Sequence, residues 1–528
     1  MTESSVTTEF GAASGRIAPG DGASWGALQR RSTRKVSHLL AEDLRRQILS
    51  GQLAPDQQLP PEADLTTRWQ VSRETLREAL RILESQQLIE IRRGRAGGAV
   101  VRTPGLEAVS RYVALLLQLR RTTLADLEEA RSVIEPPAAQ QAAVLAEADD
   151  LDALVALHEA ERAADGPLGF VAAMTAFDQA VTELSGNRTV AVIAGVFRDI
   201  HAGQVYSSIG SDDGAAAERI AKQVIGSHSA FLAATRSHDA SLARQTWIDY
   251  LVATNRILVS RNLSRQPIDI TPMWRAQAGQ AGSATTPRLA LTVATEMRAR
   301  IAEGRLGDGD RLPPLADVSE EFGISRPTLR EALRILETES LLELRTGDRG
   351  GAVIRTPSTR VAAQLAGIVL EARGVTFGDF SRATQLFVPP IMGLVASRIT
   401  RCQLGILRRV ESELTAATED TARFITTWRE GEMTAFSAVG NPALTVIAEI
   451  MHWVRIGVEP AVTADATGLP WVSKTNRNAQ RLFARWVSAA AAKDSAGASA
   501  AWAENLKVNA SWFENSGIGE RLVLDLMG

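Results

Sequence analysis

One pattern occurs twice in this chain, and that repetition limits its architecture more than any other feature. Residues 72–85 read SRETLREALRILES and residues 325–338 read SRPTLREALRILET, with twelve of 14 positions identical at an offset of 253. GGAVVRTP (97–104) recurs as GGAVIRTP (350–357), and QLPPEADL near Leu59 answers RLPPLADV near Leu312. Fainter landmarks follow: EPPAAQQAA from Glu135 meets VPPIMGLVA from Val388, and LSGN from Leu184 meets VGNP from Val439. Solenoid repeats run to roughly 20–50 residues. A period near 253 in a chain of 528 is instead a two-module unit present twice. Residues 263–287, rich in Pro, Gly, Ser, Thr and Ala with no apolar period, read as the linker between copies. Residues 1–33 read as a disordered tail.

The front module starts with Val36, Leu40, Leu44 and Ile48 at spacing four, a helix stopped by Gly51. Leu59-Pro60-Pro61 opens a second helix, with Glu62 and Asp64 favourable to its dipole. After the short turn Trp69-Gln70-Val71, Ser72 is placed to cap a third helix. Leu76, Leu80 and Leu83 give that helix a buried face, while Arg73, Arg77 and Arg81 form one stripe at i, i+4 and i+8. Copy two repeats the stripe as Arg326, Arg330 and Arg334. Two β-prone runs then flank a Gly/Arg tip: Arg92, Arg93, Gly94, Arg95 and Gly97 in copy one, and Arg345, Gly347, Arg349 and Gly350 in copy two. Three helices followed by a basic-tipped hairpin describe a winged helix-turn-helix. Such a helix fits the major groove of double-stranded DNA, where arginines bind guanine bidentately. Backbone amides at the helix start, with the Ser72 hydroxyl, suit a phosphate.

LPPEADLTTRWQVSRETLREALRILESQQLIEIRRGRAGGAVV closely resembles the DNA-binding domain of the GntR family of bacterial transcription regulators. The resemblance covers about 70 residues in each copy. It implies DNA contacts at Ser72, Arg73, Glu74, Thr75 and Arg77, with wing help around Gly94 to Gly97. In copy two the contacts fall on Ser325, Arg326, Pro327, Thr328 and Arg330. The family often carries Glu-Arg at the start of the second helix; here the pair is Glu62-Ala63 and, in copy two, Leu315-Ala316. The heads also differ in charge. Residues 31–104 hold 13 Lys+Arg against 9 Asp+Glu (+4), and residues 286–357 hold 11 against 12 (−1). Phosphate attraction grows with cationic contacts, so copy one is expected to grip harder.

Residues 105–262 carry six or seven amphipathic helical stretches, with Leu124 to Leu145 interrupted by Pro136-Pro137, and residues 360–518 follow the same plan. The expected fold is thus mainly α. Two winged helix-turn-helix domains (34–104 and 288–357) are each followed by an all-α bundle (105–262 and 358–528). The module order resembles the FadR-like branch of the family, whose bundle, of the FCD type, binds effectors and dimerises; the second copy is degenerate in this respect. Many family bundles hold a metal by Asp-x-x-x-His and two later histidines. The matching positions are Met174, Asp178, His228 and Tyr250, and in copy two Trp428, Glu432, Phe483 and Asn505. One imidazole and one carboxylate do not make a tight site, so no metal and no cofactor are expected. Arg131 has two readings: it meets an effector carboxylate, as the family resemblance implies, or it pairs with Glu135 at i+4 on a surface. Copy two has Thr384 there. Arg131, Asp178, His228 and Tyr250 are therefore the candidate effector positions, with organic acids or acyl-thioesters as the class the resemblance implies.

The remaining sequence removes other classes. The formal net charge is −3, so a uniformly basic coating protein is excluded. The single cysteine, Cys402, permits no internal disulfide or Cys-based zinc site and suits a reducing cytoplasm. No signal peptide and no run of 18 apolar residues is present, so no membrane partner is expected and the protein is placed in the cytoplasm, with the nucleoid. No Ser/His/Asp, Cys/His or phosphate-loop motif points to an enzyme. The sequence leads to a ligand-responsive repressor whose bundles pair within the chain, a covalent pseudo-dimer on an imperfect palindrome. Its alternatives are a homodimer of chains with four heads, and a DNA-binding protein whose bundles only dimerise and sense nothing.

Overall fold

The computed structural model describes residues 36–86, 88–92, 98–208, 214–260, 264–269, 286–345, 351–464, 470–515, 518–521 and 523. The expected tail and most of the expected linker lie outside these residues. The chain divides into two compact units, Met1–Pro104 and Gly105–Gly528.

In the first unit, α1 (Val36–Leu49), α2 (Glu62–Trp69) and α3 (Arg73–Ser85) precede a hairpin of β1 (Ile89–Arg92) and β2 (Gly98–Val101). Leu40, Leu44, Leu65, Trp69, Leu76 and Leu83 close a small core. The hairpin is antiparallel, with Ile89 opposite Val101 and Arg92 opposite Gly98. The stretch before α2 adds a third rung: Leu59 N–H donates to the Ala99 carbonyl at 2.8 Å and Val101 N–H to the Gln57 carbonyl at 2.9 Å. This is a winged helix-turn-helix, and it recurs in the second unit. There α11 (Thr286–Ala302), α12 (Leu315–Glu321), α13 (Arg326–Thr338), β3 (Leu342–Arg345) and β4 (Gly351–Ile354) keep the same register, Leu342 opposite Ile354 and Arg345 opposite Gly351.

Among the described residues the second unit also holds two bundles of seven helices each. The first comprises α4 (Leu106–Leu119), α5 (Leu124–Leu145), α6 (Ala148–Ala163), α7 (Gly166–Glu183), α8 (Arg188–Ser208), α9 (Gly214–Arg236) and α10 (Ala240–Ser260). The second comprises α14 (Thr359–Ala372), α15 (Phe377–Arg398), α16 (Arg401–Ala416), α17 (Thr421–Ser437), α18 (Pro442–Ala464), α19 (Pro470–Ala491) and α20 (Ser495–Asn515). The expected interruption at Pro136-Pro137 does not break the helix: α5 runs through both prolines, and α15 runs through Pro389-Pro390. The missing amides are consecutive, so the ladder opens at one place only. Packing of α5 on α8 and α10 keeps its halves in line.

Residues 264–269 of the expected linker run along the first bundle, with Ser264 and Ile268 buried and the other four exposed. Ala125 N–H donates to the Ser264 carbonyl at 2.8 Å, and Ile268 N–H donates to the Thr122 carbonyl at 2.8 Å. The strap thereby serves an amide at the start of α5 that has no partner within the helix. The end of the chain does the same for α15: Phe377 N–H donates to the Arg521 carbonyl at 2.9 Å, and Val523 N–H to the Val375 carbonyl at 3.2 Å.

The bundles pack on each other through equivalent elements. α4 meets α14 and α18, α5 meets α15 and α18, and α8 meets α14 and α15. Two asparagines mark the pairing. Asn187 Nδ2 donates to the Asp379 carbonyl at 3.0 Å, and Asn441 Nδ2 donates to the Asp126 carbonyl at 2.9 Å. Each asparagine also caps its own helix, Oδ1 accepting from Val190 N–H or Leu444 N–H. A contact repeated in both directions between equivalent residues is the pattern a two-fold axis produces. Charged groups flank it on both sides, Arg398 with Glu129 and Arg120 with Glu449.

Candidate functional site

The reading helix of each head is built from a cap. Gln70 adopts a left-handed conformation (φ 52°) that ends α2 and turns the chain; Gly323 (φ 61°) does this in copy two. Ser72 then holds an extended conformation, and its Oγ accepts from Thr75 N–H at 3.1 Å. Ser325 caps α13 likewise, accepting from Thr328 N–H at 3.3 Å. Leu76, Leu80 and Leu83 face the core while Arg73, Glu74, Arg77 and Arg81 stay exposed, so one helix carries both the anchor and the arginine stripe. Arg326, Pro327, Arg330 and Arg334 occupy the same exposed face of α13.

The two heads are not equivalent in detail. Arg77 Nε donates to Glu62 Oε2 at 3.0 Å, tying the reading helix to the start of α2. The position equivalent to Glu62 is Leu315, which has no carboxylate to offer Arg330. Thr75 is half-buried, but Thr328, expected at the interface, is buried, its hydroxyl 2.8 Å from Ser325 Oγ. Thr75 Oγ1 lies at the same 2.8 Å from Ser72 Oγ, so the cap contact is common to both heads and only the burial differs. Arg92 and Arg345 end their strands, whereas Arg93, Gly94, Arg95, Gly97, Gly347, Arg349 and Gly350 lie outside the described residues.

The four candidate effector residues do converge, in the interior of the first bundle. Arg131 from α5, Asp178 from α7, His228 from α9 and Tyr250 from α10 are all buried. Of the two readings of Arg131, the pair with Glu135 is present but the surface is not: the side chain is 1% exposed. Nε donates to Glu135 Oε1 at 2.6 Å, Nη1 to Glu128 Oε1 at 3.3 Å and Nη2 to Asp178 Oδ2 at 3.4 Å. Tyr250 Oη donates to the same Asp178 oxygen at 3.0 Å, and Trp247 Nε1 donates to Glu135 Oε2 at 3.1 Å. His201 lies between Arg131 and Glu128.

Burial opposes charge on Asp178, Glu128 and His228, and their partners overcome it. Asp178 is held below the ordinary carboxylate value by His228, Arg131 and Arg198. Glu128 is held low by His201 and Arg131. Burial alone would lower His228, yet Asp178 and Glu161 on either side raise it to about 9.

The metal set that the family resemblance implies does not fit here. Met174 offers a thioether, Tyr250 spends its hydroxyl on Asp178, and the guanidinium of Arg131 stands where a cation would meet that carboxylate. Sequence reasoning missed His158 and Glu161, which are one turn apart on α6 and join His228 in the same interior. The spacing His-x-x-Glu on one helix, in a chain with only 6 histidines, was a legible signal. Glu128, His201 and Trp247 were also missed, and they carry no local motif; Glu135 was read as a partner of Arg131, but on a surface.

The second bundle fills the equivalent space differently. Phe483 replaces His228, and Trp428, Trp486 and Trp502 pack around it at centroid distances of 5.5, 5.7 and 6.3 Å. Glu432 remains ionic, paired with His452 and Arg455.

Comparison with known proteins agrees with both parts. The family model described as "Bacterial regulatory proteins, gntR family" matches residues 37–98 and again 289–353, and the FCD domain model matches residues 126–253. The HTH-type transcriptional regulator Rv0494 of Mycobacterium tuberculosis is 31% identical over 189 residues, 36% of this chain and 77% of that protein. The HTH-type transcriptional repressor NanR of Edwardsiella tarda is 24% identical over 182 residues, 34% of this chain and 69% of that one. Among solved structures, Streptococcus agalactiae GntR aligns with a TM-score of 0.33 at 20% identity, covering 42% of this chain and 99% of its own. With its DNA-binding module present twice and an FCD domain behind the first copy, the chain belongs to the GntR family of bacterial regulatory proteins and is a DNA-binding transcription regulator.

Proposed function

We propose that the chain is a ligand-responsive repressor that acts as a covalent pseudo-dimer. Its modules divide near residues 104, 262, 287 and 357, and the two unequal heads read the halves of an imperfect palindrome. The reciprocal contacts Asn187–Asp379 and Asn441–Asp126 carry this reading, because they give the two bundles of one chain the pairing that separate subunits would otherwise supply. Tethering also raises the effective concentration of the second head once the first is bound.

Ser72, Arg73, Glu74, Thr75 and Arg77 are the DNA contacts of the first head, with Arg92, Arg93, Gly94, Arg95 and Gly97 as its wing. Ser325, Arg326, Pro327, Thr328 and Arg330 serve the second, with Arg345, Gly347, Arg349 and Gly350. The effector is an organic acid or acyl-thioester taken up by the first bundle near Arg131. The protein works in the cytoplasm and catalyses nothing; among the described residues no helix is long and apolar enough to cross a membrane.

A second reading is favoured by one observation: Arg131 already holds three carboxylates of its own chain. On that reading the bundles only pair, and no effector exists. Footprinting combined with the solution mass of the DNA complex tests the first claim. One chain protecting two half-sites is expected, and two chains on the same footprint would refute the pseudo-dimer. A melting shift with an added organic acid or acyl-thioester separates sensor from scaffold, since a ligand of the native state raises its stability.

A further inference from the structure

His158, Glu161 and His228 bring three ligand-type atoms within 4.8 Å of one another in the first bundle. Glu161 lies between the rings, Oε2 2.9 Å from His158 Nδ1 and Oε1 2.8 Å from His228 Nδ1. All three residues are buried. Donors around a zinc-sized ion stand about 2.0–2.2 Å from it, hence about 3.3 Å from each other in a tetrahedron. An opening of about half an ångström between Glu161 and each ring therefore admits the ion.

The outer nitrogens show how the rings are held. A metal-bound histidine characteristically engages a second partner through its other nitrogen, which sets its tautomer and orientation. His158 Nε2 is 2.9 Å from Ser229 Oγ, which itself donates to the Ile225 carbonyl and so accepts from the ring. His228 Nε2 is 3.3 Å from Asp178 Oδ1, and Asp178 is steadied by the Tyr250 hydroxyl. The His228 ring is also stacked on Phe177 at 4.2 Å. Both rings thus present Nδ1 towards Glu161; Nε2 of His158 is hydrogen-bonded, whereas Nε2 of His228 faces Asp178 at ion-pair distance without a hydrogen bond.

We propose that His158, Glu161 and His228 bind one divalent transition cation of the zinc class, in the first bundle only. This donor set differs from the one the family resemblance implies. His228 uses its other face, two donors come from α6, and Asp178 and Tyr250 become outer partners. Two imidazoles and a carboxylate suit zinc or nickel, and three protein ligands leave a fourth position for water or an anion. The ion takes the place of the Nδ1 protons, which pass to solvent. Ser229 is exposed, so the site lies one side chain below the surface. In the second bundle Leu414 and Phe483 stand at the positions of Glu161 and His228, so that copy has no such set.

The test uses the full, tag-free chain stripped with a chelator, then titrated with zinc chloride alone and followed by calorimetry and by metal content after gel filtration. One zinc per chain is expected. His158→Ala and Glu161→Gln should weaken binding by more than the roughly 10–100-fold typical of losing an outer partner, and Ser229→Ala by an amount within that range. Cobalt substitution supplies a second readout, absorption bands that disappear in His158→Ala. Far-UV circular dichroism shows which variants remain folded; Ser229→Ala, at an exposed position, keeps the test decisive if the buried variants do not. Substoichiometric zinc in the wild type overturns the proposal, as does wild-type affinity in folded His158→Ala or, should that variant not fold, in Ser229→Ala. None of these readouts involves DNA, so they stand or fall apart from the regulatory reading.

Discussion

Replacing Arg131 by methionine roughly keeps the side-chain length and removes a cation that three buried carboxylates, Glu135, Glu128 and Asp178, share. In the native protein its guanidinium donates at 2.6, 3.3 and 3.4 Å to Glu135, Glu128 and Asp178, all within a bundle interior. Removing one member of a buried ionic group leaves the others charged and desolvated, which costs about 3–5 kcal/mol. A pair of the same residues at i, i+4 on a helix surface would cost only about 0.3–0.5 kcal/mol. The two situations differ by roughly tenfold in energy, so stability alone separates them. Urea unfolding by circular dichroism, with hydrogen exchange of peptides from α5 and α10, measures the loss and locates it in the first bundle. Arg131→Met with Glu135→Gln should recover part of the stability, because one stranded carboxylate becomes neutral. A loss below about 1 kcal/mol would refute the reasoning, since it would mean that Arg131 meets solvent.

Arg73→Ala and Arg77→Ala should each weaken operator binding by roughly 1–3 kcal/mol in gel-shift titrations if they read bases, and Arg326→Ala should cost less than Arg73→Ala; equal costs would remove the asymmetry between heads. Gln70→Gly should stabilise the first head by about 0.5–1 kcal/mol in thermal melts, because Gln70 sits at φ 52° where the other head has glycine. Glu432 is buried, yet Arg455 and His452 hold it below the ordinary carboxylate value of 4.5. A carboxylate depressed on folding contributes stability above its unfolded value and loses it as pH falls through the folded one. The stability gap between wild type and Glu432→Gln should therefore be full at neutral pH and close below about pH 4.5. A gap that stays constant across that range in pH-dependent urea melts would contradict the assignment.

The heads were legible from the sequence because everything that shapes them is local. A cap at Ser72, leucines at helical spacing and arginines at i, i+4 and i+8 all lie within 13 residues, and periodicity assigns each to a face. The duplication was visible for the same reason: it repeats such local signals at one offset. The prolines of α5 misled because a propensity is a statement about an isolated helix, and neighbouring helices outweighed it.

Sequence alone determined the kind of module, the number of copies and the arginine faces. The tertiary structure decided what the bundles do with their polar residues. Arg131 and Glu135 are neighbours on any helix, but only packing takes them out of water, and desolvation turns a weak pair into a strong network. His228 meets Glu161 across 67 positions, Asn187 meets Asp379 across 192, and Asn441 meets Asp126 across 315. No periodic pattern extends that far along a chain. Such contacts exist because helices pack side by side, and the residues at those positions acquire their roles from neighbours that the linear order does not reveal.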